Sequence, residues 1–210
     1  VITDQLPAAT WSSTKGSGTA TEIATTVSAS LNGEVTMKTS TDDGATSANT
    51  TLITGKDLAW KANSGGLMIE SRIKVDNITT TALFVGFTDA ISTTVNLPVF
   101  LNAADIDSDA ADACGVGYDT DGTTKQFFHG GVKAGTDTVP AYSGTAHVNA
   151  TYVTLKAEVS AAGAVRGFVN GTPIGAAVDN AVTVTTALTP VVAVSSRAAA
   201  ARILTIDYIK

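Results

Sequence analysis

The residue types best suited to chemistry are gathered in one acidic segment, which carries four carboxylates: Asp105, Asp107, Asp109 and Asp112. Hard oxygen ligands that lie this close in sequence can converge on one Ca²⁺ ion. An EF-hand loop, however, would have glycine where Ala110 stands and glutamate where Val116 stands. Two interpretations stay open, a calcium site or a solvated acidic loop, and no other cofactor is predicted.

Few other side chains offer catalytic or metal-binding chemistry. His129 and His147 are the only histidines and Cys114 is the only cysteine, and no two of them have the spacing of zinc ligands. The sequence also lacks the Gly-x-Ser-x-Gly elbow that presents a serine nucleophile. We interpret both histidines as structural residues at strand ends.

Charge and composition narrow the classes of partner. The formal net charge is −6, and the 13 lysines and arginines are scattered along the chain, which argues against a nucleic-acid partner because phosphate binding needs clustered cations. No apolar run reaches the roughly 18 residues of a membrane span. The single cysteine excludes an internal disulfide and favours folding in a reducing cytoplasm.

Period-two alternation marks the strands that must position these residues. Apolar side chains alternate with polar or charged ones over residues 67–75 and 153–159, as in half-buried strands. Residues 81–88 are apolar on both faces, which predicts a strand that is covered on each side or lines a concave surface. Gly86 would weaken that strand unless another segment approaches closely.

The alternation also predicts the core and the last strand. We expect Leu204, Ile206 and Tyr208 to lie on one face of a strand over residues 203–209. We expect nine residues on the apolar faces of the alternating strands to be buried: Leu67, Ile69, Ile73, Val75, Val153, Leu155, Val159, Leu204 and Ile206.

Strand signals recur every ten to fifteen residues and no amphipathic helix separates them. This pattern predicts an all-β fold, an antiparallel two-sheet jelly-roll sandwich, formed as a single domain over residues 1–210. Residues 1–60 show weak strand periodicity apart from the hairpin turn at Asn32-Gly33. We expect them to form an irregular N-terminal portion that contacts partners.

Four segments resemble the strands of concanavalin A-like, laminin-G-like jelly rolls. Residues 66–74 and 84–89 resemble a pair of neighbouring strands in those domains, residues 168–175 resemble a hairpin, and residues 203–209 resemble the closing strand. Residues 188–194 and 198–202 are also similar to segments of tailed-phage virion proteins with this fold. The resemblance implies a structural or capsid decoration role on a phage particle.

The resemblance also suggests where an enzyme of this fold would have its catalytic residues. Glucanase-type hydrolases carry two carboxylates on one strand, in an E-x-D-x-x-E motif, and retaining chemistry needs them about 5 to 5.5 Å apart. That motif is absent, and Glu70 shares its strand face with Arg72 and Lys74, which favours a solvated cross-strand charge. The sequence therefore predicts that the chain is not an enzyme.

Three functional hypotheses follow. The first is a bacteriophage virion structural protein, a capsid decoration or cement protein that is assembled in the host cytoplasm and binds the major capsid protein or copies of itself. The alternative is a carbohydrate-binding module or a receptor-binding, lectin-like domain with a surface glycan as partner. The third is an unrecognised hydrolase. Five aromatic residues are candidates for sugar stacking, although each type is more often buried: Trp11, Trp60, Tyr118, Phe128 and Tyr142.

Overall fold

The computed structural model describes five stretches of the chain: residues 11–15, 22–26, 34–41, 50–90 and 96–210. Their secondary structure is almost entirely extended, with one short 3-10 turn at Ala62–Ser64. Among the described residues, no helix is long and apolar enough to cross a membrane. In chain order the strands are β1 (Trp11–Lys15), β2 (Glu22–Thr26), β3 (Glu34–Lys38), β4 (Thr50–Gly55), β5 (Leu67–Val75), β6 (Thr81–Thr88), β7 (Phe100–Asn102), β8 (Asp105–Asp107), β9 (Ala113–Asp119), β10 (Phe127–Lys133), β11 (Thr136–Asp137), β12 (Ala141–Tyr142), β13 (Val153–Val159), β14 (Val165–Val169), β15 (Thr172–Pro173), β16 (Thr189–Ser196) and β17 (Ile203–Ile209).

These strands form two large antiparallel sheets and one small hairpin. Sheet A has the order β1, β4, β16, β6, β9, β10, β11, with β12 also paired to β10. Sheet B has the order β15, β14, β13, β5, β17, β3, β2, and β7 pairs only with β8. The predicted two-sheet antiparallel sandwich is confirmed. In the described parts of residues 1–60, the weak periodicity conceals four strands, two at the edge of each sheet. The turn predicted at Asn32-Gly33 lies outside the described residues.

The space between the sheets holds the main core. β5 and β13 pair so that Ile73 lies opposite Val153 and Ile69 lies opposite Ala157, with all four side chains buried. Of the nine residues expected in the core, eight are buried, and Leu67 at the start of β5 is half-buried. Strand alternation therefore predicted the inner face of sheet B well, because each strand there has one solvated face.

Sheet A is covered on its outer face as well. Leu83 and Val85 of β6 belong to the core between the sheets, whereas Phe84 belongs to a second apolar cluster on the opposite side. That cluster is completed by a segment we call the cover, residues 96–112, which includes the β7–β8 hairpin. The cover contributes Leu97, Val99, Leu101, Ile106 and Ala110.

Close packing on this outer face depends on glycine. Gly86 of β6 lies opposite Gly115 of β9, and the end of the Phe84 ring lies only 2.7 Å from where a Cβ would stand on either residue. The ring of Phe84, which belongs to the same strand as Gly86, therefore rests on the bare backbone of β6 and β9.

Candidate functional site

A small pocket of about 140 Å³ opens at one end of the sandwich, between the two sheets. The starts of β1, β5 and β16 and the ends of β6 and β17 meet there. Its walls are mostly apolar, and we call it the tryptophan pocket; it is lined by Trp11, Trp60, Met68, Ile69, Phe87, Pro190, Ile209 and Lys210.

The backbone of Trp60 is fixed although its indole is exposed. The Ala59 and Trp60 N–H groups both donate to the carbonyl of Leu188, at 3.1 and 3.0 Å, and the Leu188 N–H donates back to the Trp60 carbonyl at 2.7 Å. Leu188 itself is fully buried, whereas 54% of Trp60 is exposed. A large aromatic surface is thus presented to solvent on a rigid support.

Trp11 forms the second aromatic wall. It is the first residue of β1 and pairs with Gly55 of β4, and its half-buried side chain packs against the core. Two indoles therefore contribute to one concave surface. Such a combination of apolar area and defined geometry is typical of ligand pockets.

Three polar residues, which we call the polar rim, adjoin the pocket through Lys210, the one of them that lines it. The Glu70 carboxylate accepts hydrogen bonds from the Lys210 ammonium at 2.8 Å and from the Tyr208 hydroxyl at 2.9 Å. The Lys210 ammonium lowers the pKa of the Glu70 carboxyl, and Glu70 in turn raises the pKa of Lys210. The rim therefore presents an ionised carboxylate, an ammonium and a hydroxyl side by side.

A β-bulge in β17 places this rim. The register between β17 and β5 shifts between Ile206 and Tyr208, so that Tyr208 lies opposite Arg72 and Ile209 lies opposite the buried Ser71. The expectation that Tyr208 shares a face with Leu204 and Ile206 is therefore wrong. The extra residue turns Tyr208 outward to Glu70 and turns Ile209 toward the pocket, which is a known use of bulges beside binding sites.

Asp112, one of the four candidate calcium ligands, is engaged within the protein. It is buried, and its carboxylate accepts hydrogen bonds from the Thr183 N–H at 2.6 Å and the Thr186 hydroxyl at 3.2 Å. These bonds anchor the loop before β16 to the start of β9. Asp112 is thus oriented away from a site shared with the other three aspartates.

The remaining candidates, Asp105, Asp107 and Asp109, lie in or beside β8. Asp105 and Asp109 are exposed, and Asp107 accepts a hydrogen bond from the Ser108 N–H at 2.8 Å. In the described part of the chain, no group of three or more histidine, cysteine, aspartate or glutamate side chains is arranged to hold a metal ion. The structure does not bring the four aspartates together, and calcium binding by this segment stays a prediction.

The two histidines are buried core residues. His129 of β10 faces Gly167 of β14, whose missing side chain makes room for it. His147 packs against the rings of Phe127 and Tyr118, with centroids 5.1 and 5.8 Å apart. Burial lowers the pKa of each imidazole to about 4. Both are therefore neutral near pH 7, and neither lines the tryptophan pocket.

A buried ion pair closes the opposite end of β9. The Arg197 guanidinium donates to both carboxylate oxygens of Asp119, at 3.0 and 2.5 Å. Asp119 also accepts from the N–H groups of Leu101 and Asp121, both at 3.0 Å. Burial raises the pKa of Asp119, and the Arg197 charge opposes that shift. Since it ties β9, β16 and the cover together, this pair is structural.

Among the five aromatic candidates, only the two tryptophans line the pocket. Tyr118 and Phe128 are buried, and Tyr142 is half-buried with its hydroxyl donating to the Ala104 carbonyl at 3.4 Å. The polar rim was not identified from sequence. Its only signal was the outward position of Glu70 on β5, which was interpreted as a solvated charge.

Comparison with known proteins supports the fold and assigns no family. No protein-family model and no curated protein matches the sequence. Among solved structures, the chain is similar to a prokaryotic β-1,3-1,4-glucanase (lichenase) from a mouse hindgut metagenome, with 12% identity, TM-score 0.59, and coverage of 98% of this chain and 94% of that one. It is also similar to the carbohydrate-binding module CBM66 from Bacillus subtilis, with 12% identity, TM-score 0.50, and coverage of 92% and 91%.

A third match is partial. The chain aligns with a sialidase over 84% of its own length but over only 15% of that protein, with 13% identity and TM-score 0.53. At such identities the likeness shows the fold alone. It confirms the jelly-roll sandwich expected from the resemblance to concanavalin A-like domains, whereas none of these matches shows a phage context.

These matches also correct one expectation. The sequence predicted that the chain is not an enzyme, on the ground that the E-x-D-x-x-E motif is absent. That prediction is contradicted, since a lichenase shares this fold over nearly its whole length and part of a sialidase shares it. The chain has the jelly-roll sandwich found both in glycan-hydrolysing enzymes and in a carbohydrate-binding module.

Proposed function

We propose that this chain is a carbohydrate-binding protein and that the tryptophan pocket holds a sugar ring. The observation that carries the proposal is Trp60, whose indole is 54% exposed on a hydrogen-bonded backbone at the mouth of an apolar pocket. Exposed apolar surface that is rimmed by polar residues marks binding sites, and concave apolar pockets with a few polar groups are typical of ligand sites.

The chemistry of a pyranose ring suits both parts of the site. Its C–H faces are apolar and pack well on a flat indole, such as those of Trp11 and Trp60. Its hydroxyl groups donate and accept hydrogen bonds at the ring edge, where Glu70, Tyr208 and Lys210 offer an acceptor and donors. Apolar contact would supply affinity, and the polar rim would fix the orientation of the sugar.

The polar rim is ordered before any ligand binds. Glu70 and Lys210 are paired through their backbones as well as their side chains, with N–H to carbonyl distances of 2.8 and 2.9 Å. A ligand therefore meets side chains whose rotamer entropy is already reduced, which lowers the free-energy cost of binding.

The first hypothesis from the sequence, a structural role on a phage particle, has less support. A capsid decoration protein would need a surface for the major capsid protein or for copies of itself, and neither the pocket nor the comparisons favour such a partner. Assembly in a host cytoplasm and location in the virion likewise stay predictions. The comparisons favour the glycan partner, because a carbohydrate-binding module and glycan hydrolases share this fold.

A glycan array followed by calorimetry tests the proposal. The full chain is applied to an array of plant, algal, microbial and mucin glycans, and each positive glycan is titrated in solution. We expect the Trp60→Ala variant to lose about tenfold or more in affinity, which is about 1.4 kcal/mol of binding free energy, with little change in stability. Val139→Ala is the matched control, since Val139 is 81% exposed and does not line the pocket.

Two results would count against the proposal: no glycan bound on the array, or full affinity in the Trp60→Ala variant. The same positive glycans are also incubated with the protein, and new reducing ends are measured. Release of reducing sugar would show that the bound glycan is also cleaved.

A further inference from the structure

A second groove, of about 470 Å³, adjoins the tryptophan pocket on the outer face of sheet B. Met68 lines both depressions and is 51% exposed between them. We infer that the two form one continuous trough, and that it binds several consecutive sugars within a linear polysaccharide rather than a single sugar at a chain end. This inference rests on the proposed function of the tryptophan pocket.

Strand register gives the length of the trough. Met68 of β5 lies opposite Glu158 of β13, which in turn lies opposite Arg166 of β14. This row crosses three neighbouring strands, so it extends the surface by about 10 Å beyond Met68 at the usual strand spacing. A pocket for a chain end would be closed behind the first ring, whereas this surface continues across the sheet.

Two of the residues that line the groove, Gly65 and Gly66, have no side chain. Gly65 and Gly66 precede β5, and a Cβ built on Gly65 would meet no other atom within 4 Å. Both glycines have positive φ, at 117° and 87°, so the backbone there favours glycine. The absence of side chains leaves the backbone accessible to a ligand that lies flat on the sheet.

The far wall offers hydrogen-bond donors. The Glu158 carboxylate is already paired with the Lys156 ammonium at 2.7 Å. Arg166 is exposed, and within the described part of the chain no carboxylate lies at ion-pair distance from its guanidinium. Its five N–H donors are therefore available to sugar hydroxyl and ring oxygens.

The test measures affinity as a function of ligand length. The probes are oligosaccharides of two to six residues cut from the polysaccharide that binds best on the array, each also prepared with its reducing end reduced. We expect affinity to rise at least tenfold from the disaccharide to the pentasaccharide, and reduction of the chain end to leave it unchanged.

Blocking the groove separates its contribution from that of the pocket. Ala177 is an exposed residue of the groove wall, so Ala177→Trp should fill the groove. We expect this variant to abolish the gain in affinity with oligosaccharide length while leaving disaccharide affinity unchanged. Arg166→Ala should reduce the same gain. Val139→Trp adds an equal ring at a site outside both depressions and serves as the control.

The outcomes distinguish this inference from the proposed function. If disaccharide and pentasaccharide bind equally, or if Ala177→Trp leaves the gain in affinity intact, the inference of a continuous trough is wrong. The proposed binding of a sugar in the tryptophan pocket is then unaffected. If no sugar of any length binds, the proposed function fails and the trough fails with it.

Discussion

At the scale of single residues, the two buried histidines make the fold sensitive to acid. Burial lowers the pKa of both His129 and His147 to about 4, below the value of roughly 6.5 for histidine in an unfolded chain. Between those values the unfolded chain binds protons that the folded chain does not. The stability contributed by the neutral imidazoles is therefore complete above about pH 6.5 and is lost as the pH falls toward 4.

We expect the free energy of unfolding to fall by about 2 kcal/mol per histidine between pH 7 and pH 5. Urea denaturation at the two pH values measures this loss. A His147→Phe variant, which keeps an aromatic ring against Tyr118 and Phe127, should show about half of the pH dependence. Equal stability of the parent protein at pH 7 and pH 5 would contradict the assignment of these groups as neutral and buried.

Residue type alone could identify candidates for the site but could not select among them. Trp60 and Phe128 were both candidates for sugar stacking, yet one is exposed and the other is buried beneath the cover. The difference depends on segments far away in sequence. In the same way, Asp112 belongs to the acidic segment by sequence, but its partners Thr183 and Thr186 come from a loop 71 to 74 residues later.

At the scale of elements, alternation predicted the strands but not their irregularities. β5 and β13 follow the period-two pattern throughout, so their buried faces could be assigned from sequence. β17 follows it only to Ile206, and the bulge then reverses the faces of Tyr208 and Ile209. A bulge depends on pairing with the neighbouring strand, and nothing in the residues themselves marks it.

The paired glycines of β6 and β9 are a second element-scale feature with a measurable consequence. A Cβ on Gly86 would lie 2.3 Å from the Cys114 carbonyl oxygen and 2.8 Å from the Gly115 Cα. Since both are backbone atoms of a central strand, they cannot move aside easily. We expect Gly86→Ala to destabilise the protein by about 1–3 kcal/mol through overpacking, measured by urea denaturation.

Gly144→Ala is the comparison for this substitution. Gly144 has φ of 73° and no atom within 4 Å of a built Cβ, so its replacement tests backbone strain without overpacking. The loss of stability in Gly144→Ala should be smaller than that in Gly86→Ala, of the order of 1 kcal/mol. A Gly86→Ala variant as stable as the parent would mean that β6 and β9 separate readily at this point.

At the scale of the whole molecule, the sandwich has three layers rather than two, namely sheet B, sheet A and the cover, with one apolar cluster between each neighbouring pair. The sequence predicted the two sheets, since their inner faces carry the alternating residues. It predicted that residues 81–88 are covered on each side or line a concave surface, and all eight are buried. It did not identify residues 96–112 as the covering segment, because their acidic composition is typical of a solvated loop. In the structure, Asp105 and Asp107 point away from the sheet, whereas Ile106 between them is buried against Gly130. The acidic segment is itself a short strand with one buried face.

The cover also bears on the proposed glycan binding. Its side chains Leu97, Val99 and Leu101 pack on the outer face of sheet A, so the strand surface beneath them is not accessible to ligands. The tryptophan pocket and its adjoining groove lie instead at the end of the sandwich and on sheet B. Binding at those sites therefore requires no movement of the cover.

Shortening one side chain of the cover tests whether the cover is firmly packed and whether it is independent of the tryptophan pocket. Leu101 is 1% exposed, and its N–H donates to Asp119 at 3.0 Å, so the side chain is held firmly in the second apolar cluster. We expect Leu101→Ala to lower the free energy of unfolding by about 2–5 kcal/mol, from lost burial and the cavity left behind. Glycan affinity of the folded variant should stay within twofold of the parent, because the pocket does not include the cover.

Ile203→Ala is the control, since Ile203 is a comparable aliphatic residue that is 38% exposed, and its replacement should cost less stability. If Leu101→Ala unfolds at the parent's urea midpoint, or gains a new mode of glycan binding, then the cover is loosely attached and the outer face of sheet A is open to ligands.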